Sequence, residues 1–240
     1  MANAAARFYC PNLPHPRLAG SRCELDAHES HHARKVLRLK PGAPVELFDG
    51  AGGLARGRLV DYDGRTALCE VNSVERIDPL RPQIVVAAAV PKAGRAEPMV
   101  NQLSQVGADR FVPMMTQRSV VDPREGKLER FERHAIESAK QCSRLHVLTV
   151  EAAQSFETLL TDTADVRLLA APGDGSPTDL PERVHRAARV LVLVGPEGGF
   201  TDEELTAADK AGFERWAFGP YVMRIETAAV VAAAMLRQLS

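Results

Sequence analysis

A chain of 240 residues with net charge −1, 45% hydrophobic and 25% charged, has the composition of an ordinary globular protein of one large or two small domains. That balance excludes a surface coated in positive charge, so any nucleic-acid contact has to be a local patch. No apolar run approaches membrane-spanning length, the start Met1-Ala2-Asn3-Ala4-Ala5-Ala6-Arg7 has no leader pattern, and Cys10, Cys23, Cys69 and Cys142 form no Cys-x-x-Cys pair, which leaves no metal site, no disulfide framework and a reducing cytoplasm as the expectation.

In chain order, Asp26 to Leu39 reads as a helix with Ala33, Val36 and Leu37 on its apolar side and His31, Arg34, Lys35 and Arg38 on the other. Val45 to Phe48 and Ala67 to Val71 read as strands, separated by Asp49-Gly50, Gly52-Gly53 and Asp63-Gly64 turns, and suggest a small barrel. Two prolines in Asp78-Pro79-Leu80-Arg81-Pro82 mark a linker. Strands and helices alternate beyond it. Ile84 to Val90, Phe111 to Met115, Val166 to Ala171, Val190 to Val194 and Arg215 to Phe218 are the strands. Glu97 to Val106, Leu128 to Cys142 and Thr227 to Leu239 are the main helices. Such alternation predicts helices packed on a mostly parallel sheet. The last helix is apolar nearly all round, which predicts burial on most of its circumference by its own domain or a second subunit.

Two loops hold the chemistry. In Leu193-Val194-Gly195-Pro196-Glu197-Gly198-Gly199-Phe200-Thr201 a β-branched run stops in a glycine-rich turn. Thr201 and Glu204 then have capping-box spacing, and Asp202, Glu203 and Glu204 suit the positive end of a helix. In Phe218-Gly219-Pro220-Tyr221-Val222-Met223-Arg224-Ile225-Glu226-Thr227-Ala228 a second strand runs through a Gly-Pro loop into a helix. Such loops lie outside the carboxyl ends of strands, where α/β folds bind ligands. The G-x-G-x-x-G dinucleotide fingerprint is missing.

Together these loops resemble those of the SPOUT class of S-adenosylmethionine-dependent RNA methyltransferases. More closely they resemble the ribosomal small-subunit methyltransferase E family, which makes N3-methyluridine in 16S rRNA. His31 to Gly42, continuing to Leu47-Phe48-Asp49-Gly50, resembles that family's N-terminal PUA-like domain. The resemblance implies an α/β chain with a PUA-like RNA-binding β-barrel over 1–78. A SPOUT methyltransferase domain follows over 79–240, its C-terminal segment tied in a trefoil knot. It also implies a cytoplasmic homodimer acting on 16S rRNA in the 30S subunit, without metal.

Carried over residue by residue, S-adenosylmethionine would lie against Val194, Gly195, Glu197, Gly198, Gly199, Phe218, Gly219, Met223 and Ala228. Arg224 would stabilise the negative charge that uridine O2 and O4 take up as N3 loses its proton. Glu226 would orient Arg224 or relay the proton, or else form a structural ion pair with it. Arg34, Lys35 and Arg38 would contact RNA phosphate, with Arg95, Arg118 and Arg144 holding phosphate or shaping the pocket. Pro98, Gln105, Gln117, Lys140 and Tyr221 depart from the family pattern and leave the target nucleotide open. The alternatives are methylation of another RNA atom, such as a ribose 2′-hydroxyl, and an RNA-binding assembly factor that has lost catalysis.

Overall fold

The computed structural model describes residues 5–13, 20–123, 125–172 and 177–240. Met1 to Ala4, part of the leader reading, lie outside them. The chain divides into two compact units. One runs up to Pro79 and includes Ala139–Val147; the other comprises Leu80–Ser138 and Leu148–Ser240.

The first unit is built on β1 (Ala6–Tyr9), β2 (Arg22–Glu24), β3 (Pro44–Phe48), β4 (Gly53–Asp63) and β5 (Thr66–Arg76). They form one five-stranded sheet in the order β1-β3-β4-β5-β2. Only β1 and β3 pair in parallel; the other pairs are antiparallel. Alternate residues of these strands, among them Phe8, Leu47, Leu59 and Val71, point into one core. The path is that of a sheet, and no pairing joins β1 to β2 among the described residues, where the turn spacing suggested a barrel. Segment 139–147 belongs here through backbone: Gly52 N donates to Leu145 O at 3.2 Å, and Val147 N to Gly50 O at 2.9 Å. Lys140, a departure from the family pattern, puts its ammonium 2.7 Å from the buried Glu29 carboxylate.

The helix expected over Asp26 to Leu39 takes a different form. Asp26 caps α1 (Ala27–His31) by accepting from Glu29 N at 2.7 Å, and the chain then widens into a π-helix over His32–Val36. The wider turn shifts the side-chain period, so an α-helical stripe no longer stays on one face. Ala33 is buried as expected, but Val36 and Leu37 are 61% and 42% exposed. Arg38 closes the segment at φ 52°. Residues 34 to 38 therefore form an exposed basic and apolar run.

In the second unit, β6 (Gln83–Ala89) leads to α2 (Ala96–Val106) and β7 (Arg110–Met115), and α3 (Glu125–Gln141) follows, its residues up to Ser138 belonging to this unit. Then come β8 (Thr149–Val150), β9 (Gln154–Ser155), α4 (Phe156–Leu159), β10 (Val166–Ala170), α5 (Leu180–Arg186) and β11 (Arg189–Val194). The chain ends with α6 (Asp202–Lys210), β12 (Glu214–Trp216) and α7 (Ile225–Gln238). The sheet runs β12-β10-β11-β6-β7-β8, with β9 on β7, and every pair is parallel. Strands β6 and β11 are central and almost wholly buried, which explains their unbroken apolar runs. The chain moves outward from β6 to β7 and later inserts β11 between β10 and β6, so strand order reverses there. That is where an open α/β sheet leaves a crevice.

Helix α7 packs on α2 and β6. Ile225, Ala229, Ala232, Ala233 and Leu236 are buried, whereas Val230, Val231 and Ala234 are half-covered and Met235 is 38% exposed. Within this chain the helix buries a stripe, not its circumference.

Candidate functional site

The loops after β10, β11 and β12 enclose a cavity of about 510 Å³. Val194, Gly195, Glu197, Gly198 and Gly199 line it from the first glycine-rich loop. Phe218, Gly219 and Met223 line it from the second, and Ala228 from α7. All nine residues expected to hold a cofactor thus share one cavity. Sequence reasoning missed Ala170, Ala171 and Pro172 at the end of β10, and Leu205 and Trp216. The β10 residues had one available signal: they end a strand, and crevices form beyond strand ends.

Local chemistry shapes the first loop. Thr201 Oγ1 accepts from Glu204 N at 3.2 Å, and Glu204 Oε2 accepts from Thr201 N at 2.8 Å, which completes the expected capping box. Glu204 Oε1 also takes Gln117 N at 2.9 Å, so the buried carboxylate ties the loop after β7 to the start of α6. Arg118 donates to Gly198 O at 2.7 Å and to Phe200 O at 3.3 Å. Gly199 sits at φ 68°, and a Cβ at Gly195 would come within 2.9 Å of the Phe200 ring. Both positions therefore require glycine. Glu203, in the first turn of α6, has its carboxyl held below the ordinary range, by its own backbone N–H first, then the Thr201 hydroxyl and the Arg118 charge.

The second loop is anchored at its ends. Trp216 is buried, with its ring 4.5 Å from that of Phe218 between centroids. Beyond Phe218, Tyr221 and Val222 are 84% and 85% exposed at the cavity rim. Arg224 is the N-cap of α7, in extended backbone, exposed and without a side-chain cap bond.

The Arg224–Glu226 ion pair entertained from sequence is not formed. Glu226 Oε1 instead lies 3.4 Å from Arg95 Nη1, and Arg95 Nη2 is 3.7 Å from Glu197 Oε1. Neither Arg224 nor Glu226 lines the cavity; their neighbours Met223 and Ile225 do. In the first unit, Arg34 reaches Gly64 O and lies over the Tyr62 ring, while Lys35 and Arg38 are exposed. Arg144 is half-buried, its carbonyl taking an N–H from Arg7 at 3.3 Å. Of the departures from the family pattern, Pro98 falls in the first turn of α2, where a missing N–H costs nothing.

A family model described as an RNA methyltransferase domain matches residues 78–237, and one described as an RNA methyltransferase PUA domain matches 25–72. The protein named ribosomal RNA small subunit methyltransferase E in Synechocystis is 32% identical over 221 residues, covering 90% of this chain and 72% of the relative. Its namesake in Mycobacterium bovis is 31% identical over 238 residues, covering 95% and 89%. Among solved structures, the Neisseria gonorrhoeae methyltransferase E, described as bound to S-adenosyl methionine, has a TM-score of 0.86 at 24% identity, with 98% of both chains covered. A probable rRNA-methyltransferase from Porphyromonas gingivalis has a TM-score of 0.83 at 29% identity, again with 98% of both covered. With both domain models matched in order and such relatives spanning nearly its full length, the chain belongs to the ribosomal RNA small subunit methyltransferase E family.

Proposed function

We propose that this protein transfers a methyl group from S-adenosylmethionine to N3 of a uridine in the 16S rRNA of the small ribosomal subunit. The observation that carries the reading is the convergence of both glycine loops on one cavity beyond the carboxyl ends of the neighbouring strands β10, β11 and β12. The cavity suits that cofactor in size, since pockets for ligands of this class run from roughly 300 to 1,000 Å³. Its character fits as well. Bare backbone at Gly195, Gly198 and Gly199 presents amides and carbonyls, and Phe218 and Trp216 offer apolar faces.

When bound, the cofactor supplies a methyl on an electron-poor sulfonium. The protein's residues hold donor and acceptor aligned and manage the target's proton. Uridine N3 attacks only after losing its imide proton. Arg224, beside Met223 at the rim, is the proposed cation for the resulting charge on O2 and O4. Glu226 is the proposed proton relay: its Oε2 is buried and accepts no hydrogen bond in the structure. Arg34, Lys35, Arg38 and Arg144 are the proposed phosphate contacts, and a PUA-like RNA-binding domain over 1–78 with a SPOUT domain over 79–240 is the proposed organisation. Arg118, engaged with two loop carbonyls, shapes the pocket.

The finer architecture implied by the family, a C-terminal trefoil knot and a homodimer, is part of the proposal. Exposed Tyr221, Val222 and Met235 support a partner surface on this unit. Light scattering should give a dimer mass at micromolar concentration; a monomer mass overturns that part. Among the described residues no helix is long and apolar enough to cross a membrane, and a cytoplasmic location is proposed.

The decisive experiment is methylation of 30S subunits with tritiated cofactor, followed by nucleoside analysis. Labelled 3-methyluridine is expected. A labelled ribose 2′-O-methyl nucleoside would favour the second enzymatic reading, and cofactor-free binding without label the assembly-factor reading.

A further inference from the structure

The loop between β6 and α2 contributes nothing to the cavity wall, yet it is built with care. Ala93 and Gly94 stand consecutively at φ 57° and 70°, a left-handed pair that an alanine adopts only against a steric cost. The reversal turns Arg95 back on its own loop, and its Nε donates to Lys92 O at 3.1 Å. Both terminal nitrogens are left for carboxylates on the two cofactor loops: Nη1 for Glu226 and Nη2 for Glu197. Glu197 lines the cavity from the glycine loop, and Ile225 and Ala228, on either side of Glu226, line it from α7.

Glu226 is the tightly placed partner. Its side chain is 17% exposed, and Arg95 is the one cation paired with it among the described residues. A carboxylate this far from water is costly without its counter-charge. Arg95 therefore sets where the first turn of α7 can rest, and by reaching Glu197 it ties that turn to the glycine loop.

We infer that Arg95 is a positioning residue for cofactor binding: an ion-pair clasp that holds the glycine loop and the start of α7 as one cradle. The inference rests on the reading that this cavity takes S-adenosylmethionine. It gives Arg95 a task inside the methyltransferase unit, separate from contact with RNA phosphate.

The clasp has an asymmetric signature. Removing the cation alone leaves a shielded carboxylate uncompensated, which is worse than removing both charges. Calorimetry with S-adenosylmethionine on Arg95→Gln, Glu226→Gln and the double variant tests this without reference to turnover. Arg95→Gln should weaken binding about tenfold, and adding Glu226→Gln should restore it to within about threefold of the unaltered protein. Arg95→Lys should lose about threefold, because a point charge cannot serve two carboxylates as a planar fork does. It also covers the case in which Arg95→Gln does not fold, since the same relief by Glu226→Gln is expected from it. Affinity for 30S subunits, and its salt dependence, should not change. Unaltered cofactor binding in the Arg95 variants, or a double variant weaker than Arg95→Gln alone, overturns the clasp. Lost 30S affinity with a shallower salt slope and intact cofactor binding marks Arg95 as a phosphate contact and overturns it too. No heat from the unaltered protein would refute the cofactor reading itself and the clasp with it.

Discussion

Between Gly195 and Thr201 the chain is held from several directions: the Arg118 guanidinium takes two of its carbonyls, the Glu204 carboxylate takes the Thr201 N–H, and the Phe200 ring fills the space over Gly195. From Pro220 to Val222 and at Arg224 the side chains stand in solvent, with Met223 alone half-buried against the cavity, and the N-cap of the helix that follows makes no side-chain cap bond. One wall of the cavity is thus preorganised and the other is open at its rim. A site that binds a small cofactor and then admits a base from a large RNA needs both kinds. The fixed wall limits what is lost in ordering around the cofactor, and the open rim leaves room for the second substrate.

The sharpest way to break this division of labour is at Arg224. If the open loop serves the reacting base and the fixed loop the cofactor, Arg224→Ala should bind S-adenosylmethionine nearly normally. It should methylate 30S subunits slower by roughly two to three orders of magnitude, the usual loss for one donor to a developing anion. Single-turnover assays give the rate and calorimetry the affinity. Equal loss in both would place Arg224 in the cofactor wall and dissolve the distinction.

Glu204→Ala attacks the fixed wall directly. It removes the acceptor for two backbone N–H groups, Thr201 and Gln117, and half of a capping box, in a buried setting. Losing a cap and leaving buried donors unpaired should cost about 2–3 kcal/mol of stability, measured by urea unfolding. Glu204→Gln, which keeps one acceptor oxygen, should cost less. A loss below about 0.5 kcal/mol would mean that water reaches both N–H groups and the wall is less fixed than its geometry states.

These two tests touch residues of unequal legibility. Thr201 and Glu204 could be read from spacing alone, because a capping box is a local pattern. Gln117 and Arg118 could not be placed on the same loop, because their partners, Glu204 and the Gly198 and Phe200 carbonyls, are brought together only by the order β11-β6-β7. The same limit applies to Glu226. Its sequence neighbour Arg224 was the obvious partner, and the pairing cation came from Arg95 through sheet order. The parallel sheet was readable because its central strands are apolar without a break, whereas β1, β2, β8 and β9 are short and carry no period of their own. At Val36 and Leu37 an apolar stripe at helical spacing misled, because the π-helical turn changed the period midway.

Arg118→Ala is a gentler probe of the fixed wall. Arg118 is exposed, so water can replace it at Gly198 O and Phe200 O. The expected loss is about one hydrogen bond, roughly fivefold in cofactor affinity. Affinity for 30S subunits should keep its salt slope, since this guanidinium is already occupied. A slope shallower by about one unit would instead assign Arg118 to a phosphate.

The smallest effect concerns Glu203, whose carboxyl is depressed by its own N–H, by Thr201 and by Arg118. A group with a lowered folded-state value adds stability above its ordinary titration range, and that contribution disappears as pH falls through the folded value. Glu203→Gln should therefore unfold at a slightly lower temperature than the unaltered protein at pH 7, and the two should converge as pH falls below the ordinary carboxylate range. Because Glu203 is exposed, salt should narrow the gap at pH 7 as well. The charge sits within the capping box, between Thr201 and Glu204, so the comparison also reads how firmly the start of α6 is held. If Arg118→Ala is added, the gap between Glu203 and Gln at pH 7 should shrink, since one of the groups that lowers the carboxyl is gone. A gap that is the same at pH 3 and pH 7 would mean that Glu203 acts through packing or hydrogen bonding alone, and that the fixed wall owes nothing to this charge.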